Sequence, residues 1–328
     1  MATSGLQVLP CPPEDRPRAL EVLYRDLDRR SRAALVAQAL EDDRTGRVDL
    51  SGLWIARRGG WAGAGRVVGA LLTQALPGRA AAFWAPRVAS TWGGRDEIAA
   101  ALVREALEGL GRSGVAVAQA LLDRAAGPQE GLDLERGGMP QVTHLVYARR
   151  DAAAPPPRPR GPSPRLEWAG MDEAGEGAFR EAIAATHFGS LDMPELEGAR
   201  TIDEVLAGHR GAEGFDPSRW RLGRAAGDPA ARAVLLLAAP ADRDAWEVVY
   251  LGLTPEARGR GLGVEAVAHA LELARPHATA IELAVDARNA PAARLYRATG
   301  FVSFETRAVH LAILSREGVS GGPGPRLP

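Results

Sequence analysis

Residues 151–165, DAAAPPPRPRGPSPR, carry six prolines, and each fixes φ and removes a backbone donor, so neither a helix nor a sheet ladder runs through them. A stiff extended connector is what remains. The 328-residue chain therefore divides into two halves of ordinary domain size, residues 1–150 and 166–316, with a tail at 317–328 whose VSGGPGPRLP composition reads as unstructured.

The first half reads, in order, as a strand (QVLPC), a helix (RPRALEVLYRDL) and three strands (SGLWIARR, RVVGALLTQAL, AAFWAPRVAS). A helix (DEIAAALVREALEGL) and two strands (VAVAQALLD, VTHLVYARR) follow. The second half echoes its close. Asp123 ends one apolar run and Asp286 ends the other, and in each case a glycine, Gly137 or Gly300, follows fourteen residues later. The segments VTHLVYA and AVHLAIL then match. Two tandem α/β domains with mixed sheets are expected.

Composition removes several classes of function. The formal net charge is −1, which argues against nucleic acid or an anionic membrane as partner. Cys11 is the sole cysteine, so no internal disulfide and no multi-cysteine metal site can form. There is no HExxH and no close histidine pair, and no metal is implied. The N-terminus lacks an apolar run of signal-peptide length, and no window has the length and apolarity of a membrane span. A cytoplasmic location is expected.

The run LGLTPEARGRGLGVEAVAHALELA, residues 251–274, sets glycines at 259, 261 and 263 between an apolar strand and a helical pattern that begins near Val264. Glycines admit positive φ and a close approach of ligand to backbone. A helix N-terminus adds orphan N–H donors and the positive end of a dipole, so an anion, most simply a phosphate, is the expected guest. A Walker loop is excluded because all 40 Lys+Arg residues are arginine. A dinucleotide fingerprint fits Gly261-Leu262-Gly263-Val264-Glu265-Ala266, with Glu282 or Asp286 as the acidic partner. Against it, Thr254-Pro255-Glu256-Ala257-Arg258 separates the strand from the first glycine, and too little chain follows Asp286 for the further strands that fold needs.

Arg258-Gly259-Arg260-Gly261-Leu262-Gly263 resembles the (Q/R)xxGx(G/A) pyrophosphate loop of the GNAT superfamily of acyl-CoA transferases. The downstream run AIELAVDARNAPAARLYRATGF is similar to that family's next motif, with Asn289, Ala293, Leu295, Tyr296, Gly300 and Phe301 in place. Asn289 is the chain's only asparagine. As simple structure it is a good helix N-cap, and Tyr296 is an aromatic packed on a short helix; the resemblance adds that the asparagine caps beside the cofactor and the tyrosine hydroxyl reaches the thioester sulfur. The first half has PRVASTWGGRDE in place of the glycine loop and AAGPQEGLDLE in place of the Asn–Tyr motif. It resembles a copy without cofactor chemistry; an unrelated α/β domain is the alternative.

The resemblance implies transfer of an acetyl group from acetyl-CoA to a primary amine of a small molecule, by a monomer whose two domains form a pseudo-dimer. A CoA-binding module without turnover, or a nucleotide-binding oxidoreductase, is the other reading. Residues 259–264 (Gly259, Arg260, Gly261, Leu262, Gly263, Val264) would hold the pyrophosphate, with Arg258 and Arg260 adding charge. A backbone N–H between Leu251 and Leu253 would polarise the thioester carbonyl, and Tyr296 would protonate the leaving thiolate. WEVVYLGLTP further resembles the E–V–x–x–L–G–x–x–P run of the mycothiol synthases, tandem GNAT proteins with a degenerate first half, and that likeness makes Glu247 the general base. It is otherwise a strand-end carboxylate. A segment closing in Phe215-Asp216-Pro217 is shared loosely, but Gly189 to Arg200 departs from that group. Asp192, Glu195 and Glu197 would meet a cationic amine or form a solvated loop, and His187 is a second proton carrier or a structural ring.

Overall fold

The computed structural model describes residues 5–59, 65–89, 94–158, 166–225 and 227–314. The tail from 317, and much of the expected connector and of the first half's glycine-loop counterpart (Trp92 and Gly93 included), lie outside them.

The first half runs β1 (Leu6–Pro10), α1 (Arg16–Leu23), α2 (Arg29–Arg44), β2 (Leu53–Arg58), β3 (Arg66–Leu76), β4 (Ala80–Phe83) and β5 (Arg87–Val88). It continues through α3 (Arg95–Arg112), β6 (Val117–Leu122), α4 (Pro128–Gly137) and β7 (Gln141–Asp151). Helix α2 escaped the sequence reading, although Asp28 caps it by accepting from Arg30 N and Ser31 N at 2.9 and 3.1 Å. AAFWAPRVAS is two short strands, because Pro86 between them has no N–H to give a ladder.

The second half runs β8 (Leu166–Gly170), α5 (Met171–His187), α6 (Ile202–Arg210), β9 (Phe215–Ala225), β10 (Ala231–Ala238) and β11 (Ala245–Leu253). Then come α7 (Leu262–Ala274), β12 (Ala280–Asp286), α8 (Ala290–Ala298) and β13 (Val302–Ile313). Phe215-Asp216-Pro217 opens β9 instead of ending an insertion, and α7 begins at Leu262, two residues before the apolar periodicity becomes regular.

The strands form one mixed sheet in the order β1-β2-β3-β4-β6-β13-β7-β12-β11-β10-β9-β8, with β5 paired to β3. That order is a palindrome of roles. The parallel pair β4–β6 of one half mirrors the parallel pair β11–β12 of the other, and the final strands have changed sides: β13 pairs with β6, and β7 pairs with β12. The two meet antiparallel at the centre. Each half is thus completed by a strand from the other, an exchange that local sequence pattern does not encode.

Helices cover both faces. α7 buries Val267, Ala270, Leu271 and Ala274 against Trp246, Val248, Ile281 and Leu283, while α5 and α6 bring Phe179, Ile183 and Leu206 onto Trp220, Leu222, Val234 and Leu236 of the opposite face. Burial of these apolar side chains is what fixes the helices. α3 and α1 do the same for the first half.

Candidate active site

The site begins where the second half's sheet opens. β11 and β12 are paired from Ala245↔Ala280 to Val248↔Leu283 and then part, β11 staying on β10 as far as Leu253 and β12 staying on β7 as far as Asp286. A register shift across Leu236 and Leu237 leaves Val249 as the extra residue of a bulge, which adds twist where the strands diverge. Backbone N–H groups alternate between a strand's two edges. Since Thr254 N–H donates to Arg232 O at 3.1 Å, Leu253 and Leu251 turn theirs to the other edge, into the open wedge.

Beyond β11 the chain reaches α7 through Gly259 and Gly261, whose φ values of 73° and 80° fall in the left-handed region, with Gly261 as N-cap. Arg260 is exposed. Gly263 has a different role: a Cβ there would lie 2.8 Å from Leu295 Cδ2, so its missing side chain seats α8 against α7. Val264 N–H donates to Gly261 O at 3.0 Å, which removes it from the anion donors expected from the sequence; Leu262 and Gly263 keep first-turn N–H groups without partners four residues back. Arg258 is also corrected. Its guanidinium donates to Leu253 O, Thr186 O, Phe188 O and Gly189 O at 2.9–3.2 Å, so it satisfies the carbonyls at the end of α5 instead of facing a phosphate.

Asn289 is the N-cap of α8, accepting from Ala292 N at 3.2 Å, and Tyr296 packs edge-on to Phe301 at 5.6 Å. Desolvation first, then the charges of Asp192 and Tyr250, push the Tyr296 phenol above its ordinary pKa, so it carries its proton through the neutral range. Tyr250, one residue before Leu251, escaped the sequence reading; an aromatic amid the valines of a buried strand looks like core. Its hydroxyl lies 2.9 Å from Thr186 Oγ1 and 3.4 Å from His187 Nδ1, its ring stacks on His187 at 5.0 Å, and burial pushes its pKa up to about 12. His187 Nδ1 lies 2.9 Å from Ile183 O, a contact that favours the tautomer with the proton on Nδ1.

Glu247 is on β11 before the wedge, beside Glu282 of β12. Desolvation raises its pKa, Arg243 opposes from 2.8 Å, and Glu282 adds to the rise. The acidic set of the α5–α6 segment is largely committed within the protein. Glu195 takes both Arg288 nitrogens at 2.6 and 2.9 Å, and Asp192 accepts from Asp286 N at 2.9 Å. The fully buried Asp286 carboxylate accepts from Thr143 Oγ1, Met193 N and Arg288. Glu197 is exposed.

The first half repeats the frame without this chemistry. Ten residues past the strand-closing aspartate stands Tyr296 in one half and Asp133 in the other, and Asp133 is spent on a bidentate pair with Arg95 at 2.6 and 2.7 Å. The first turn of α3 carries Asp96 and Glu97, which repel an anion. Among the described residues there is no group of three metal-ligating side chains, and no helix is long and apolar enough to cross a membrane.

Residues 192–301 match the model of the acetyltransferase (GNAT) family. A mycothiol acetyltransferase of Beutenbergia cavernae is 37% identical over 145 residues, which span 44% of this chain and 47% of that protein, so the likeness covers about half of each. A GCN5-related N-acetyltransferase structure from Sphaerobacter thermophilus superposes with a TM-score of 0.55 at 19% identity over 98% of both chains. A glucosamine N-acetyltransferase region of a fungal multi-domain β-N-acetylglucosaminidase gives 0.57 at 14% identity, over 94% of this chain and 38% of that one. The wedge, the glycine turn and the Asn–Tyr helix thus lie in or beside the segment that matches the acetyltransferase (GNAT) model, in a chain whose fold as a whole is shared with a GCN5-related N-acetyltransferase structure.

Proposed function

We propose that the protein is an acetyl-CoA-dependent N-acetyltransferase acting on a primary amine of a small molecule. The observation that carries the proposal is the wedge between β11 and β12, with outward N–H groups of Leu251 and Leu253 at its edge, the turn Gly259–Gly261 at one end and protonated Tyr296 nearby. A CoA diphosphate would sit on the first turn of α7, and its pantetheine would take the place of the strand pairing that β11 lacks beyond Val248.

In this reading the thioester carbonyl accepts from a wedge N–H, Leu251 or Leu253, which stabilises the oxyanion as the amine nitrogen adds to carbon. Glu247, directly or through water, removes the ammonium proton so that the amine attacks neutral. The C–S bond then breaks, the electron pair goes to sulfur, Tyr296 gives the thiolate its proton, and the proton that the nitrogen sheds on becoming an amide returns to the Tyr296 phenolate, directly or through water. Proximity within the wedge supplies most of the remaining advantage. We carry over from the Beutenbergia relative the transfer of an acetyl group and leave its acceptor to that protein. An acceptor bearing an α-amine, or an amine linked to an amino sugar, fits a single carboxylate base, since an α-amine with a pKa near 7.7–8.0 is already partly neutral at pH 7. The first half acts as a non-catalytic support, and the working species is a monomer, with one CoA bound per chain.

The test is thiol release from acetyl-CoA across a panel of small amines, with CoA-dependent thermal stabilisation measured in parallel. Stabilisation and thiol release with an α-amine are expected. Stabilisation without turnover on any amine would leave a CoA-binding module, and stabilisation by NAD in place of CoA would overturn the reading.

A further inference from the structure

The wedge of the first half has its own cavity, of about 790 Å³, within the size range of small-molecule sites. β4 and β6 are paired only at Ala80↔Val117, Ala81↔Ala118 and Ala82↔Gln119, while β6 runs on beside β13 to Leu122. The walls are mainly apolar: Leu72, Leu76, Phe83, Leu121 and Leu122 line it, and Leu76 and Leu121 are exposed at 42% and 37%. Its rim is closed by the second half, through Leu196, Arg200 and Arg307.

The charges at the rim are unequal. Arg87 is paired with Glu130 at 2.8 Å, and Arg307 with Glu305 at 2.7 Å. Arg200 has no such partner among the described residues; its one side-chain hydrogen bond is a long contact of 3.5 Å to Gly78 O. The nearby Glu204 spends one carboxylate oxygen on Arg79 at 3.1 Å and the other on Thr201 N at 2.8 Å. Arg200 is also desolvated, which lowers its pKa, with Glu204 opposing. A guanidinium held partly out of water beside an apolar cavity lacks the planar anion it pairs with best.

We propose that the first-half wedge binds an amphipathic monocarboxylate, its carboxylate forked by Arg200 and its hydrocarbon laid along Leu72, Leu76, Phe83, Leu121 and Leu122. One guanidinium without an ion pair among the described residues matches one negative charge. Asp123 and Glu130, also at the cavity, disfavour a phosphate dianion, and the acidic first turn of α3 disfavours a CoA diphosphate. The site is independent of the acetyl-transfer reading and stands or falls alone.

The test titrates the full chain with 11-(dansylamino)undecanoate and follows the dansyl fluorescence. Saturation at one site per chain is expected, with displacement by decanoate and not by decanol or CoA. Arg200→Gln, which keeps a donor for Gly78 O, should weaken binding about tenfold or more, the loss expected for a charge-assisted pair. Leu121→Glu, a change at an exposed strand position, should weaken it as well by setting a carboxylate beside the ligand's. Circular dichroism establishes that each variant is folded, and Leu121→Glu carries the test if Arg200→Gln does not fold. Absence of saturable binding, equal displacement by decanol, unchanged affinity in folded variants, or displacement by CoA would each overturn the proposal.

Discussion

Glu247 and Glu282 occupy directly paired positions on β11 and β12, and Arg243 reaches both, at 2.8 and 3.7 Å. Two neighbouring carboxylates resist ionising together, and a shared arginine relieves that resistance. Glu247 still titrates above the usual carboxylate range because desolvation prevails over Arg243. As a base it must be ionised, so kcat/KM should fall as pH drops through this raised pKa. Arg243→Ala removes the one lowering influence and should shift the acid limb to higher pH. Glu247→Gln should lose turnover most at low pH and recover part of it as the neutral amine accumulates. Profiles of kcat/KM against pH for the three proteins check this; an acid limb unmoved in Arg243→Ala and a Glu247→Gln variant equal to wild type at every pH would make Glu247 a bystander.

Tyr296→Phe keeps the ring that packs on Phe301 and deletes the hydroxyl. A fall in kcat of roughly ten- to a thousandfold is expected, at or below the usual contribution of a general acid. CoA affinity should stay within a few-fold. Equal losses in both would identify a packing defect instead.

The close approach of Gly263 to Leu295 gives a second handle on the cofactor end of the site. Gly263→Ala should cost about 1–3 kcal/mol by overpacking and weaken CoA-dependent stabilisation, since it pushes α8 from α7. Adding Leu295→Ala should restore part of the thermal shift, a coupling that contacting residues show and distant ones do not. Gly261→Val acts differently: it strains a left-handed turn and should abolish the CoA shift in a folded protein. Normal CoA binding by that variant would remove the loop assignment.

Arg258→Ala is predicted to raise the acceptor KM more than the acetyl-CoA KM, because the guanidinium holds the carbonyls of residues 186, 188 and 189 at the start of the segment leading to Asp192. Unpinning that segment should also lower Tm by a few degrees. A selective loss of CoA affinity would return Arg258 to the phosphate role that its motif suggested.

Much of this site was readable because backbone chemistry left marks in the sequence. Gly259, Gly261, Asn289 and the strand Ala280–Asp286 each sit where a turn, a cap or a buried run needed them. Arg258 misled because one side chain serves a phosphate or a helix end equally well, and only the position of α5 decides between them. Tyr250 was hidden because a half-buried aromatic in a strand carries no sign of what its hydroxyl touches. The path of β7 and β13 was illegible for a deeper reason: an apolar strand specifies a face, not which neighbour it will lie beside.

That exchange of strands has a consequence for biosynthesis. When the ribosome has finished residue 151, β6 still lacks β13, and β7 has neither of the neighbours it will have in the finished sheet. Open edges of this kind recruit other chains, and transiently unpaired strand edges make folding intermediates prone to aggregate. Here β6 stays an open acceptor until β13 has been made, whereas β7 can close the second half as soon as β12 appears. One edge of the first half thus stays open while most of the second half is made, and a gene encoding either half alone would leave out the strand that completes it.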